Sequence, residues 1–247
     1  MQAIILCGGQ GTRLRSVIGE KQKTMTEVNN EPFLINIIKY LKRYNITNVI
    51  FATGYKSHEV RNYFGEKYFF GVEVHYAEEK IALGTGGAIR NCLNQMKYDY
   101  ALVLNGDTLF EADLDELENN FLSLNADMSI ACKEVDDKSR YGTIRIEYKG
   151  DKNNVTKNQG IIVSFDEKIK NDSECESYIN GGIYILSKKL IESIPSGVKS
   201  SLEKDLIPKW LKEGKLIGGV ISEAKFIDIG TPDSLREFKE RKEFENN

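Results

Sequence analysis

The residue types best suited to chemistry stand near the start of the chain, in Leu6-Cys7-Gly8-Gly9-Gln10-Gly11-Thr12-Arg13-Leu14. Gly8, Gly9 and Gly11 let the backbone approach a ligand closely and leave amide N–H groups free to point at it. An apolar run, Ala3 to Leu6, precedes them and a segment of helix-like spacing follows, so the order predicts strand, tight turn, helix. A helix N-terminus behind such a turn favours negative charge, which makes a triphosphate the natural guest. Arg13 offers a fork of donors matched to phosphate oxygens, and Lys23 a second, movable cation. Neither of the two commonest phosphate loops is present. A P-loop needs Lys followed by Ser or Thr, and a dinucleotide fingerprint needs G-x-G-x-x-G spacing, which counts against an NAD-dependent enzyme.

Two carboxylates are candidates for a metal. Tyr100 to Leu104 reads as a buried strand that delivers Asn105-Gly106-Asp107, and packing explains an aspartate there poorly. A hard carboxylate is what Mg²⁺ requires, together with phosphate oxygens and water. Asp228 is a similar outlier among Phe226, Ile227 and Ile229, so Asp107 and Asp228 could converge on one cation. No Ser-His or Cys-His constellation offers a nucleophile, and His58 and His75 read as structural.

These residues need a scaffold, and the chain of 247 residues is long enough for one large α/β domain. Its apolar fraction of 40% and charged fraction of 29% are ordinary for a globular protein. The net charge of −3 gives no global attraction to nucleic acid or to an anionic membrane, so phosphate binding must be local. Cys7, Cys92, Cys132 and Cys175 are scattered without C-x-x-C spacing, which argues against a zinc site and a disulfide framework. With no signal-like or membrane-length segment, a cytoplasmic location is expected.

Apolar periodicity supplies the elements. Pro32 to Tyr44 predicts a helix with one apolar stripe, Asn48 to Thr53 a strand, and Ser57 to Tyr63 a helix capped by Ser57. Val72 to Tyr76 reads as a strand and Ala88 to Met96 as a helix behind a second glycine turn, Gly84-Thr85-Gly86-Gly87. Strands and helices alternating at this interval predict βαβ units and a mainly parallel sheet, with ligands at the carboxyl ends of the strands. Leu109 to Leu124 is expected to be helical, Met128 to Cys132 and Ile161 to Phe165 strands, and Lys149 to Gly160 a polar insertion. Tyr178 to Leu186 is strongly β-prone except for Gly181-Gly182, a pair that weakens a strand unless something must approach its backbone. Pro208 marks an irregularity in a helix from Leu202 to Leu211, and the charged terminal helix, Leu235 to Phe244, suits either solvent or a second copy of the chain in a homo-oligomer.

The stretch L-x-G-G-x-G-T-R-L resembles the signature of the sugar-1-phosphate nucleotidyltransferases. The resemblance continues through Lys23-Thr24-Met25, Gly84-Thr85-Gly86-Gly87-Ala88, Asn105-Gly106-Asp107, Glu167-Lys168, Asn180-Gly181-Gly182 and Asp228-Ile229-Gly230-Thr231-Pro232, in the family's order. It departs at the lysine, which the family usually sets between two prolines and which here lies between Gln22 and Thr24. Proline would fix that backbone, so the segment from Gly19 to Thr26 is expected to be looser than in relatives.

The resemblance implies a three-layer α/β/α Rossmann-like fold over 1–247, with residues 1–110 the nucleotide-binding half and 111–247 the sugar-phosphate-binding half. It implies attack of a sugar 1-phosphate on the α-phosphorus of a nucleoside triphosphate, giving a nucleotide-sugar for surface polysaccharide such as capsule or lipopolysaccharide. In that scheme Leu6, Gly8, Gly9, Gly11, Thr12, Gly84, Thr85 and Gly106 enclose the nucleotide. Arg13 and Lys23 hold the triphosphate, and Mg²⁺ sits on Asp107 and Asp228. Gly142, Glu167, Asn180 and Gly181 meet the sugar, and Lys168 its phosphate. Family members tend to present a side chain to the base edge near Glu79. A carboxylate there can accept from both N1–H and the N2 amino group of guanine, which suits GTP, whereas uracil or thymine offers one such donor. A solvated surface glutamate is the plainer reading of Glu79. UTP, dTTP or CTP with another sugar phosphate, and a regulator that only binds nucleotide-sugars, remain the alternatives.

Overall fold

The apolar run Gln2–Cys7 forms β1, which lies between two parallel neighbours at the middle of the sheet. In this computed structural model residues 1–28, 30–135, 142–148, 158–167 and 178–240 are described, with Arg13, Arg15, Ser16 and Glu167 described by their backbone alone. After β1 come a 3-10 turn, Thr12–Leu14, and α1, Arg15–Ile18. The helix expected behind the glycine turn is thus a single turn long, and a macrodipole summed over so few peptides is small. Anion binding there must rest on the loop's own amides.

A second 3-10 turn, Lys23–Met25, precedes the small ribbon of β2 (Glu27–Val28) and β3 (Glu31–Pro32). Then follow α2 (Phe33–Arg43), β4 (Asn48–Thr53), α3 (Ser57–Phe64), β5 (Tyr68–Phe69) and β6 (Val72–Glu78). Ser57 is the first residue of α3 rather than its cap. Lys56 occupies the cap in the left-handed region without a side-chain bond, while the Ser57 hydroxyl donates to Glu78 Oε1 at 2.6 Å. Next are α4 (Gly84–Asn91), β7 (Tyr100–Asn105), β8 (Thr108–Phe110) and α5 (Leu114–Ser123). The glycines Gly84 to Gly87 belong to α4 itself. Leu109 and Phe110 are strand, not helix, because Asp113 caps α5 by accepting from the amides of Asp115 and Glu116 at 3.0 and 3.1 Å.

The second half of the chain supplies β9 (Met128–Lys133), β10 (Gly142–Glu147), β11 (Gln159–Glu167), β12 (Tyr178–Ser187) and α6 (Lys188–Glu192). A π-helical turn, Leu202–Leu206, runs into α7 (Ile207–Lys212), so the irregularity flagged by Pro208 lies just before it. The remaining elements are β13 (Ile217–Ser222), β14 (Phe226–Asp228) and α8 (Pro232–Glu240). The expected insertion falls mainly on residues 149–157, which lie outside the described residues, as do Cys175 and residues 241–244, where the terminal helix was expected to continue.

One ten-stranded sheet has the order β10-β11-β13-β9-β12-β7-β1-β4-β6-β5. Strands β1, β4, β6, β7, β9, β10 and β13 point one way; β5, β11 and β12 point the other. β12 is the antiparallel strand that joins the parallel set β7-β1-β4-β6 to the strands of the second half. Alternation along β1 sends Ala3 and Ile5 into the apolar layer under α2, α5 and α8, and Ile4 into the layer under α4, α6 and α7. Each fully buried isoleucine contributes roughly 1.5–3 kcal/mol over an exposed one, so both faces of the strand hold the sheet in register. The result is three layers, α/β/α, with the carboxyl ends of β1, β4 and β7 along one rim. Among the described residues no helix is long and apolar enough to cross a membrane.

Candidate active site

At that rim a cleft of about 520 Å³ opens between the glycine loop, the end of β7 and the start of α4. Gly8 and Gly9 line it, and a Cβ added at Gly9 would meet nothing within 4 Å, so that stretch of backbone is open to a guest. Gly11 has φ of +57°, and a Cβ there would lie 3.0 Å from Lys23 Cβ. The glycine loop therefore packs directly against the lysine turn. The backbone of Arg13 continues the loop into the 3-10 turn; its side chain lies outside what is described.

Gln22, where the family usually has a proline, is held by hydrogen bonds. It is 0% exposed, and its backbone has φ −64° and ψ 130°, the conformation that proline would impose. Its side chain caps the turn: Oε1 accepts from Thr24 N at 2.5 Å, Thr24 Oγ1 at 2.6 Å and Met25 N at 3.3 Å. Nε2 donates to the carbonyl of Cys7 at the end of β1. Its own amide donates to Glu59 Oε2 at 2.8 Å. Hydrogen bonds do here what a rigid ring would do, and they tie the turn to the sheet as well. No pattern in the sequence announced this role for Gln22 beyond its position beside the lysine.

Lys23, with 11% of its side chain exposed, forms an ion pair with Asp107 Oδ2. Asp107 is 34% exposed and lines the cleft. The second carboxylate arrives through a short antiparallel ribbon, β8 with β14, in which Asp228 stands opposite Thr108. The amide of Ile229 donates to the Asp107 carbonyl at 3.0 Å, so Asp107 and Asp228 are adjacent in the fold although 121 positions apart by their numbering. Asp228 Oδ1 accepts from the amide of Gly230 at 2.6 Å, which fixes the carboxylate at the strand end. Among the described residues no group of three or more His, Cys, Asp or Glu gathers as a metal cage. A pair of hard oxygen donors fits a cation that takes its other ligands from phosphate and water, such as Mg²⁺, and does not fit zinc.

Across the cleft Glu79 Oε2 accepts from Leu83 N at 2.9 Å, and burial raises its carboxyl above the ordinary value against the lowering effect of that bond. Its other oxygen lies 3.5 Å from the position a Cβ on Gly8 would take, so Glu79 faces the glycine loop rather than bulk solvent. Gly84, Thr85 and Ala88 line the same wall. What presses on those glycines is protein. A Cβ on Gly84 would lie 2.5 Å from the Ser200 carbonyl, and one on Gly86 2.5 Å from Leu206 Cδ1. Close packing of α4 against residues 198–206 explains the glycines, while the helix's first turn still walls the cleft. Leu6, Asn105 and Lys199 also line it, and Lys199 had no signal in the sequence because it comes from a distant loop. Cys7 lines the cleft too, but burial pushes its thiol far up, so it offers no thiolate nucleophile. Neither His58 nor His75 lines the cleft.

On the side of the second half, Asn180 and Gly181 sit in β12 where its pairing with β9 shifts register, and Gly142 begins β10 opposite Glu167. A Cβ on Gly181 would lie 2.4 Å from the Phe110 ring, and Gly182 has φ of +74° beside the Asn105 side chain. The glycine pair thus answers to a bulge and to close protein packing. Gly106 is likewise tight, its would-be Cβ 2.6 Å from the Leu6 carbonyl. Thr12 is exposed at the end of the glycine loop. Lys168 lies outside the described residues, and Glu167 is described by its backbone alone.

The family model described as nucleotidyl transferase matches residues 2–244. A D-glycero-alpha-D-manno-heptose 1-phosphate guanylyltransferase of Aneurinibacillus thermoaerophilus is 39% identical over 246 residues, covering 100% of this chain and 99% of its own. A mannose-1-phosphate guanylyltransferase of Mycobacterium tuberculosis is 31% identical, with 95% of this chain and 62% of that protein aligned. Among solved structures, HddC from Yersinia pseudotuberculosis complexed with GMP-PN superposes with a TM-score of 0.79 at 33% identity, over 97% of this chain and 98% of that one.

Proposed function

The chain belongs to the nucleotidyl transferase family, and on that premise we propose that it transfers a guanylyl group from GTP to D-glycero-D-manno-heptose 1-phosphate. The observation that carries this reading is the Lys23–Asp107 pair beneath the glycine loop, which puts a phosphate-binding cation and a hard carboxylate at one point of the cleft. The base preference rests on Glu79, whose carboxylate can accept from N1–H and N2–H of guanine while its Oε2 keeps the bond from Leu83 N.

An oxygen of the sugar 1-phosphate attacks the α-phosphorus, the bond from that phosphorus to the β-bridging oxygen breaks, and pyrophosphate leaves. A phosphate monoester is already largely dianionic at neutral pH, its second pKa being about 6, so no general base is required. This agrees with a cleft whose cysteine is held as the neutral thiol and which no histidine lines. The barrier is repulsion between two polyanions, and the residues act by position and charge. Amides of Gly8 and Gly9 face the triphosphate, and Lys23, with Arg13, stabilises the charge that develops on the leaving pyrophosphate. Asp107 and Asp228 would hold Mg²⁺, which supplies Lewis-acid neutralisation at the reacting phosphate when bound. Lys23 then exchanges its carboxylate partner for phosphate oxygens. Lys168 and Glu167 serve the sugar phosphate in this reading, with Asn180 on a sugar hydroxyl.

The test is pyrophosphate release with Mg²⁺, running GTP, UTP, dTTP, CTP and ATP against a panel of sugar 1-phosphates that includes the manno-heptose. Turnover confined to GTP with the heptose supports the reading. Preference for another pair discards the base argument, and binding of nucleotide-sugar without turnover discards the enzyme.

A further inference from the structure

Behind the cleft wall a partly buried chain of polar groups, with Tyr184 fully buried in it, runs from the first half of the molecule to the second. Thr85, on the first turn of α4, accepts from Leu202 N at 2.7 Å and donates to Glu203 Oε2 at 2.8 Å. Ser201 Oγ donates to the same carboxylate oxygen at 3.0 Å. The other oxygen of Glu203 accepts from the Tyr184 hydroxyl at 3.3 Å, and that hydroxyl in turn accepts from Asn180 Nδ2 at 2.7 Å. The Asn105 side chain, which lines the cleft at the end of β7, interacts with the same phenol oxygen. Asn180 Oδ1 accepts from the amide of Gly182 at 3.1 Å, so both ends of its amide are oriented from within the protein.

The phenol of Tyr184 is 0% exposed and packed in the apolar layer beneath α4, α6 and α7, where a phenylalanine would pack as well. A hydroxyl placed there has to be answered by partners, and here it has them on both sides. Burial and the Glu203 charge hold the phenol far above its ordinary pKa, so it remains an O–H donor at any assay pH. The direction of the chain is thereby fixed: Asn180 donates to Tyr184, Tyr184 to Glu203, and Thr85 to Glu203.

We propose that Tyr184 and Glu203 are positioning residues that link Thr85 on the nucleotide wall to Asn180 on β12, so that the presentation of Asn180 to the sugar depends on the wall beside the nucleotide. The inference deepens the functional reading given above and rests on its assignment of Asn180 to the sugar. An amide has two N–H groups and two acceptor lone pairs, so the bonds to Tyr184 and Gly182 leave each end the capacity for a second partner. Tyr184, Glu203 and Asn180 do not line the cleft, whereas Thr85 and Asn105 do, so an effect of Tyr184 or Glu203 on the sugar must pass through Asn180 as the functional reading places it, and one on the nucleotide through Thr85 or Asn105.

The test uses Tyr184→Phe, Glu203→Gln and the double variant in the full chain. Losing a hydrogen bond to a carboxylate corresponds to about a ten- to hundredfold effect when felt in full, and only part of it reaches Asn180, so the KM for the sugar 1-phosphate should rise by about three- to tenfold in each single variant. The KM for the nucleoside triphosphate should stay within about twofold in Tyr184→Phe, which leaves the Thr85–Glu203 bond in place, and the double variant should be less than multiplicative because both changes cut one chain. Unchanged sugar-phosphate KM in both single variants, or equal rises in both KM values in Tyr184→Phe, overturns the relay. A second readout needs no substrate: the side-chain amide resonances of Asn180 should shift in Glu203→Gln, two hydrogen bonds away. Wild-type resonances in that variant overturn the relay whichever sugar the enzyme takes, whereas a shift in a protein that turns over no sugar phosphate sustains the relay and removes the functional reading. If Tyr184→Phe fails to fold, Glu203→Gln carries the test alone.

Discussion

Replacing Gln22 by alanine isolates what holds Lys23 in place. The side chain is fully buried, and its loss withdraws the acceptor of the Thr24 amide and the donor to the Cys7 carbonyl. Met25 is less affected, because its amide also donates to the Gln22 backbone carbonyl at 3.0 Å. The Thr24 hydroxyl can rotate toward another acceptor. Two buried groups therefore lose a partner, at about 1–3 kcal/mol each, reduced where water enters the space, so a loss of about 2–4 kcal/mol is expected. For a chain of this length that lowers Tm by about 5–15 °C. Denaturant unfolding should show a lower midpoint at unchanged slope. Turnover should fall with stability, because the freed turn carries Lys23 away from Asp107. Gln22→Pro separates the two effects. Proline matches the native φ of −64° but lacks the N–H that donates to Glu59, so it should recover more turnover than stability. An alanine variant within about 0.5 kcal/mol of wild type at full activity would refute the clamp.

Lys23→Ala should lower turnover by about two to three orders of magnitude. Lys21→Ala should leave it nearly unchanged, because Lys21 makes only an exposed pair with Glu27 at 3.2 Å, and steady-state kinetics of the two variants distinguish these outcomes. Asp107→Asn should abolish the Mg²⁺ dependence along with most of the activity, and a chelator should silence the wild-type enzyme reversibly; both are read by titrating Mg²⁺ into the assay. Glu79→Gln should weaken GTP relative to UTP, since the amide cannot accept from both donors of guanine. The pH profile adds a check: the folded-state carboxyl is raised by burial, so its ionisation works against folding, and stability is lost as pH rises through that window. Glu79→Gln should thus gain stability over wild type toward neutral pH and lose the gain in acid, while the acid limb of GTP affinity disappears.

Much of the fold was legible because strong periodicity and buried runs decide it. β1, β4, β7 and α2 fall where apolar spacing puts them, and Asp107 stands out as an acid at the end of such a run. What was not legible depends on contacts between distant segments. Leu109 and Phe110 have helix-like neighbours, yet pairing with β14 makes them strand and brings Asp228 beside Asp107. Gly84 to Gly87 read either as close packing of a helix or as a wall for the nucleotide, and Gly181 as an approach for a sugar; Ser200, Leu206 and Phe110 press on these glycines, while Gly84 also lines the cleft. Gln22 looked like the loss of a rigid residue, since local propensity says nothing of a carbonyl fifteen positions earlier that its amide meets. The Thr85–Glu203–Tyr184–Asn180 chain joins three elements and has no local signature at all.

The most direct measurement follows label from GTP in the presence of Mg²⁺ and D-glycero-D-manno-heptose 1-phosphate. With GTP labelled at the α-phosphate, the label should appear in the nucleotide-sugar; with GTP labelled at the γ-phosphate, it should appear in inorganic pyrophosphate. Label from the γ-phosphate in the sugar product, or no transfer of the α label to any sugar 1-phosphate, would contradict guanylyl transfer at this cleft.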